Sequence, residues 1–325
     1  MLKIGVIGVG NMGRNHVRNI LELPQYYEFV GCYDESEDNV NVAKERFGVT
    51  FFDDVQELLK KTDAISIAVP SSLHLEYGLL AAKHKNHALI EKPLALSTED
   101  ANILCEAFSK TEKTLMVGHI ERFNPVVSVM KDILKNEQQI IVIEARRCGP
   151  FNPRISDTNV VFDLMIHDID IVLNYLYPDP VASVQASAVI AKSKTHSDYV
   201  QAMFQHESGV ISTIQASRIT EDKIRAIDIH TTGSLIRGDL LNQTLFIFRK
   251  TNLSPYSAHS SMYTQENVIE KVVLPITEPL KRELIEFAEA IRDGREALTN
   301  GKDATQALYF AERVQELTEN SPKIS

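Results

Sequence analysis

Three groups of residues in this chain carry side chains suited to chemistry. In "ALIEKPLA", residues 88–95, an apolar run delivers Glu91 and Lys92 side by side against Pro93. A lysine at a strand end can hold an oxygen that is gaining negative charge, or release its proton when desolvation lowers its pKa. An ion pair with Glu91 is the plainer reading of Lys92 taken alone. In "VFDLMIHDIDIVLNYL", Asp163 and His167 stand four apart, so on a helix they share a face, with Asp170 three further along. Such a stripe suits proton transfer near neutral pH, where histidine titrates; a hydrogen-bonded core histidine is the competing reading. One histidine among aspartates lacks the second soft ligand of a transition-metal site, so no metal is expected. The third group is "IGVIGVGNMGRNH", with Gly8, Gly10 and Gly13 in GxGxxG spacing. Gly8 permits the turn, Gly10 lets a pyrophosphate approach the backbone, and Gly13 packs helix on strand. The N–H groups at the helix start, around Asn11 and Met12, then face the anion.

These groups need elements to hold them. The run "YEFVGCYD" reads as a second strand ending at Asp34, about 20 residues past the last glycine, where the dinucleotide fingerprint places an acid on the ribose hydroxyls. Glu35, Ser36 and Glu37 follow rather than Arg or Lys. A 2′-phosphate would be repelled there, so NAD is expected over NADP. Strand and helix signals then alternate through a short strand near Thr50–Phe52, "AISIAVP", "HALIEKP" and "TLMVGHIERFNP", which implies a doubly wound parallel sheet, a Rossmann domain over residues 1–122. Ligands of such sheets sit at the carboxyl ends of the strands. That rim receives Val69, Pro70, Ser71 and Ser72, then Glu91 to Pro93, then Gly118 to Asn124.

From residue 123 the rhythm changes to runs of period two, among them "QQIIVIEARR", "VASVQASAVIA", "VISTIQASR" and "LLNQTLFIFRK", with one clear helix around Val160–Tyr175. This predicts an α+β domain over 123–325 with an open, mostly antiparallel sheet and closing helices within 279–325. In "VISTIQAS" neither face is wholly polar, and a sheet incompletely covered by its own helices predicts a homodimer or homotetramer formed through it. The stretch "TNLSPYSAHSSMYTQ", residues 251–265, reads as a long polar connection.

The composition bounds the function classes. A net charge of −10 over 325 residues argues against nucleic acid and anionic membranes as general partners. Cys32, Cys105 and Cys148 form no CxxC pair, which points to a reducing cytoplasm. The apolar start "MLKIGVIGVG" is too short for a membrane span and lacks a secretory signal's basic start, so it reads as the first strand.

Taken together, "IGVIGVGNMGRNH", "VPSSLH", "IEKPLA" and "DLMIHDID" resemble the glucose-fructose oxidoreductase, inositol dehydrogenase and MocA (Gfo/Idh/MocA) family along essentially the whole chain. The resemblance implies an NAD-dependent dehydrogenase that oxidises a sugar hydroxyl to a ketone by hydride transfer. It implies Lys92, Asp163 and His167 as the catalytic set, without choosing between Lys92 and His167 as the immediate base. Around the dinucleotide it implies Gly8, Gly10, Gly13, Asp34, Ser71, His74 and Glu91. Within the family, "GHIERFNPVV" and "SRITEDKIR" resemble the branch that oxidises the 3-hydroxyl of UDP-N-acetylglucosamine. A diphosphate-bearing substrate needs cations. Arg146, Arg147 and Arg154 flank "CGPFNP", and Arg122 lies beside Asn124. Two other readings stay open: an inositol, free-sugar or dihydrodiol-type dehydrogenase, and a non-catalytic dinucleotide-sensing regulator, which would not be expected to keep Lys92, Asp163 and His167 together.

Overall fold

The apolar run at the amino terminus forms β1 (Leu2–Ile7) at the middle of a parallel sheet, in a computed structural model that describes residues 1–137, 139–151, 159–193, 196–250, 267–319 and 321. Its partners are β2 (Tyr27–Tyr33), β3 (Ala64–Ile67), β4 (His87–Glu91) and β5 (Leu115–Gly118), in the order β2-β1-β3-β4-β5. The inner strands are apolar without alternation because helices cover both faces; all four residues of β3 are buried. The strand expected near Thr50–Phe52 shrinks to one parallel bridge between Cys32 and Phe51, on the outer side of β2. Gly48 ends the preceding helix in a left-handed conformation and Asp54 caps the next, so there is room for no more. Counted as a strand, that bridge completes the 3-2-1-4-5-6 order of dinucleotide-binding sheets, whose crevice opens where the order reverses, between β1 and β3.

Helices α1 (Asn11–Leu21), α2 (Glu37–Phe47), α3 (Val55–Lys61), α4 (His74–Lys83) and α5 (Thr98–Ser109) connect the strands. Ser36, Asp54 and Ser97 cap α2, α3 and α5 through their side chains, whereas α1 starts at Gly10 with no side-chain cap. Its first N–H groups are thus left for a ligand.

The division of the chain differs from the expected one at its carboxyl end. One unit comprises Met1–Phe123 and Thr277–Tyr309, the other Asn124–Ile276 and the chain from Phe310. Helix α8 (Pro279–Asp293) joins the first because Leu280, Leu284, Phe287 and Ala288 form one apolar stripe buried in the same core as Ile4, Val6 and Val17. Helix α9 (Gly301–Thr318) starts in the first unit and ends in the second.

The second unit carries β6 (Ile140–Cys148), β7 (Val181–Val189), β8 (Tyr199–His206), β9 (Ile211–Ser217), β10 (Ile224–Thr231), β11 (Ser234–Asp239), β12 (Thr244–Lys250) and β13 (Asn267–Val272). They form one sheet ordered β13-β12-β11-β10-β6-β9-β8-β7, antiparallel except between β6 and β9. Strand β11 was not anticipated, because Arg237, Gly238 and Asp239 break its apolar pattern. The glycine has a packing reason: a Cβ on it would lie 2.6 Å from Val126 of α6 (Pro125–Leu134). On β9, Ser212, Ile214 and Ala216 are buried while Ile211, Thr213 and Gln215 stay partly exposed. The expected helix is present as one helical run, π-wound over Val161–Met165, α-helical over α7 (Ile166–Ile169) and π-wound again over Asp170–Leu176. Among the described residues no helix is long and apolar enough to cross a membrane. The 251–265 connection lies outside the described residues.

Candidate functional site

In the first unit the glycine loop builds a cleft of about 400 Å³ at the carboxyl ends of β1 and β3, lined by Gly8, Gly10, Asp34, Glu35, Val69 and Pro70 among others. Gly8 has φ +85°, and a Cβ there would strike the Ala68 carbonyl at 2.7 Å. A Cβ on Gly13 would lie 1.9 Å from the Gly8 oxygen, so this glycine lets α1 close on β1. A Cβ on Gly10 would meet nothing within 4 Å; its bareness keeps the approach to the uncapped helix start open. Asn11 is exposed and Met12 half-buried in the first turn of α1.

Asp34 is held rigidly at the end of β2. Its Oδ2 accepts the Val9 N–H at 2.6 Å, tying it to the glycine loop, and its Oδ1 accepts the Ser36 N–H at 2.8 Å. Glu35 accepts the Tyr77 hydroxyl at 2.8 Å. Burial, then that bond to Glu35, pushes the Tyr77 phenol up, so it stays a donor. Among the described residues, two carboxylates and no lysine or arginine line this cleft. The residues therefore fit a dinucleotide.

Pro70 lines the cleft and precedes a short 3₁₀ turn, Ser71–Leu73, in which Ser71 is half-buried and Ser72 exposed. His74 follows, buried, with Nδ1 at 2.7 Å from the Pro93 carbonyl and Nε2 at 3.1 Å from that of Val69. Burial lowers its pKa against the pull of both carbonyls. Its ring thus braces the two rim segments, a use the expected dinucleotide contact did not include.

Glu91 and Lys92 leave β4 on that rim, with the Lys92–Pro93 bond cis. Glu91 points inward. Its Oε1 lies 2.8 Å from Nε2 of His16, and Nδ1 of His16 lies 2.9 Å from the Ser66 hydroxyl. The Lys92 N–H donates to Glu91 Oε2 at 3.3 Å, and Gly118, opposite on β5, leaves room for the carboxylate. Burial alone would raise the Glu91 pKa, but the hydrogen bond and charge of His16, with Lys92, hold it below the ordinary carboxylate range. Nε2 of His16 therefore donates. Sequence reasoning missed His16, because helical spacing alone cannot tell which strand its ring will meet.

In the second unit, Asp163 and His167 are both half-buried on the helical run, while Asp170 is buried and accepts from Asn174 at 3.2 Å. Asp163 Oδ2 faces Arg218 Nη2 at 3.6 Å. Arg218, which follows β9, was not anticipated either; β9 packs against the Val161–Met165 segment that carries Asp163.

Three of the expected substrate contacts have structural partners. Arg147 forms a two-pronged pair with Asp168, at 2.9 and 2.8 Å, tying β6 to α7 with both residues buried. Arg122 donates to the Leu298 carbonyl at 2.7 Å and to Asp303 at 2.9 Å within the first unit. Asn124 caps α6 through the Val126 N–H and donates to the Leu240 carbonyl. Arg122 and Asn124 are both buried and thus have these partners within their own units. Arg154 lies outside the described residues.

Residues 2–119 match the family model described as "Oxidoreductase family, NAD-binding Rossmann fold", and residues 143–236 match the GFO/IDH/MocA C-terminal domain. The chain is 32% identical over 249 residues to the UDP-N-acetylglucosamine 3-dehydrogenase of Acidithiobacillus ferrooxidans, covering 77% of each chain. The solved structure of that enzyme superposes with a TM-score of 0.88 at 29% identity, covering 98% of this chain and 97% of the other. The chain is 31% identical over 138 residues to the glucose-6-phosphate 3-dehydrogenase of Bacillus subtilis, 42% of this chain and 39% of that one. To the scyllo-inositol 2-dehydrogenase (NAD(+)) of the same organism it is 26% identical, covering 94% and 90%.

Proposed function

The chain belongs to the Gfo/Idh/MocA family of NAD-binding oxidoreductases, and from that membership we propose that it oxidises the 3-hydroxyl of a UDP-N-acetylhexosamine with NAD rather than NADP, as a cytoplasmic homo-oligomer. The observation that carries the cofactor choice is the acidic cleft, where Asp34 and Glu35 stand without a lysine or arginine among the lining residues. A 2′-phosphate there would face two carboxylates. The likeness to the UDP-N-acetylglucosamine 3-dehydrogenase supports the substrate.

When bound in the cleft, NAD⁺ supplies the acceptor for the hydride that leaves the sugar carbon. The chain's own residues handle the proton and the oxygen. Lys92 hydrogen-bonds the hydroxyl oxygen and stabilises its developing negative charge. His167 takes the hydroxyl proton, the proton-transfer task for which an imidazole side chain is suited. Asp163 accepts a hydrogen bond from a neighbouring sugar hydroxyl and keeps the imidazole oriented. The pair of His16 and Glu91 fixes the strand end from which Lys92 projects.

The test is cofactor absorbance with NAD⁺ and with NADP⁺ against UDP-N-acetylglucosamine, UDP-glucose, glucose 6-phosphate, myo-inositol and glucose. An aminotransferase and amino donor are added to draw off a 3-keto product. Reduction of NAD⁺ by UDP-N-acetylglucosamine above the others is expected, and reduction by any sugar excludes the regulator reading. Lys92→Ala and His167→Ala should each lower turnover by about 10²-fold or more while NAD still binds. Near-normal turnover in either variant removes that residue from the mechanism.

A further inference from the structure

We propose that His16 is a positioning residue for Lys92, holding Glu91 from α1 while Ser66 of β3 fixes its ring, a reading that deepens and rests on the dehydrogenase function proposed above. His16 and Ser66 are both 0% exposed. Ser66 is the one polar residue of β3, a strand whose four residues are all buried, and it lies between Val6 of β1 and Leu89 of β4. A hydroxyl in such a place is costly without a partner. Among the described residues its hydrogen-bond partner is Nδ1 of His16, at 2.9 Å. The other ring nitrogen, Nε2, lies 2.8 Å from Glu91 Oε1. A carboxylate only accepts, so Nε2 donates in either protonation state, and a neutral ring is held in that one tautomer by the Ser66 hydroxyl donating to Nδ1. One histidine thus ties three neighbouring elements: the helix that opens on the glycine turn, β3, and the end of β4.

The contacts continue to Lys92. Glu91 Oε2 accepts the Lys92 N–H at 3.3 Å, so the carboxylate that His16 orients also holds the backbone of the lysine itself. On the far side, Gly118 of β5 stands opposite Glu91, and a Cβ there would lie 2.9 Å from Oε2 and 3.1 Å from the Glu91 Cα. Any larger residue would push the carboxylate out of this arrangement. The charge balance depends on the same contacts. Burial pushes the Glu91 pKa up, but the His16 hydrogen bond, then the charges of His16 and Lys92, bring it below the ordinary range. The other titratable group facing Glu91 is Glu283 of α8, which burial and then the Glu91 charge hold well above that range. A histidine serving packing alone would need no carboxylate; here its acceptor is the residue beside Lys92. A displacement of about 1 Å at a reacting group costs about 10²-fold in rate, and that is the margin such a brace protects.

The experiment compares the full chain with His16→Leu, which removes both ring nitrogens at similar volume, and His16→Gln, which keeps an amide N–H. Turnover is measured with NAD⁺ and the sugar that wild type oxidises best, beside thermal melts and NAD⁺ titration calorimetry. His16→Leu should lower kcat about 10-fold or more while NAD⁺ affinity changes less than about threefold, and His16→Gln should recover most of the loss. With the His16 bond gone, burial raises the Glu91 pKa, so kcat of His16→Leu should fall with falling pH in a range where wild type is flat. His16→Gln should flatten that limb again. Gly118→Ala, which leaves His16 and Ser66 in place, should show the same acid loss. The proposal is overturned if folded His16→Leu keeps kcat within about twofold or keeps the wild-type pH profile. Equal losses in the Leu and Gln variants also overturn it, since packing alone would then explain them. If His16→Leu does not fold, Ser66→Ala decides: kcat about threefold lower with NAD⁺ affinity held supports the brace, and an unchanged kcat overturns it. Should no sugar reduce NAD⁺, the dehydrogenase reading falls, and the brace is read instead from the Lys92 ε-carbon signal of chain labelled with ¹³C at lysine, assigned through Lys92→Arg. A shift in His16→Leu that His16→Gln reverses supports it, and an unmoved signal overturns it.

Discussion

Glu91, half-buried, and Glu283, buried, are two carboxyls in one unit with opposite fates. Glu91 has His16 and the charge of Lys92 and stays ionised. Glu283, on α8, is 0% exposed, and neither of its oxygens has a hydrogen-bond partner. Burial first, and the charge of Glu91 second, push its pKa well above the ordinary range. A group that keeps its proton when folded and releases it when unfolded makes stability fall as pH rises above the ordinary carboxylate value, until the folded pKa is reached. Glu283→Gln removes that dependence. In urea unfolding from pH 5 to 8, the variant should gain on the wild type by up to about 1.4 kcal/mol per pH unit. Parallel stability curves would show that Glu283 is ionised in the folded chain. None of this was legible in "KRELIEFAEA", where Glu283 reads as one more charge on an amphipathic helix, because burial is a property of the neighbours.

At the scale of elements, the strand, glycine loop and uncapped helix form one device, and its glycines divide their work. A methyl on Gly13 would overlap the Gly8 carbonyl, so Gly13→Ala should separate α1 from β1 and cost about 1–3 kcal/mol of stability. A methyl on Gly10 meets no protein atom. Gly10→Ala should therefore cost less than about 1 kcal/mol, as a poorer N-cap, yet weaken NAD binding by about tenfold. Thermal melts with and without NAD separate the two, and a Gly10→Ala protein with normal NAD affinity would mean that the dinucleotide does not lie over this turn. Repeating apolar pattern revealed nearly every element here. Strand β11 escaped because Gly238 is required by Val126 and Met130 of α6, a contact between residues over a hundred positions apart.

For the whole molecule, the open sheet of the second unit bears on assembly. Its outer side keeps Ile269 of β13 exposed and, on β8 and β9, Met203 and Ile211 half-buried. Apolar side chains spread over an uncovered sheet favour pairing with a second copy. Light scattering on a sizing column should give a mass at least twice 36.5 kDa. A monomer mass that holds as concentration rises would argue that this face is simply solvated.

The strand–loop–helix order of the first unit was legible in the sequence, because the GxGxxG turn and the strand ends obey local rules of backbone geometry and period, whereas the addition of α8 to that unit was not. It also singled out Lys92, Asp163 and His167, through types and spacings that are costly without a use. Tertiary structure alone decided which arginines have structural partners and which gather in one cavity. Arg122 and Arg147 pair with Asp303 and Asp168, which lie 181 and 21 residues away along the chain. Arg218, Lys223 and Arg225, quoted from the sequence only within "SRITEDKIR", line one cavity with Asp163. Partners of that kind are chosen by the packing of distant segments, and no local pattern encodes them.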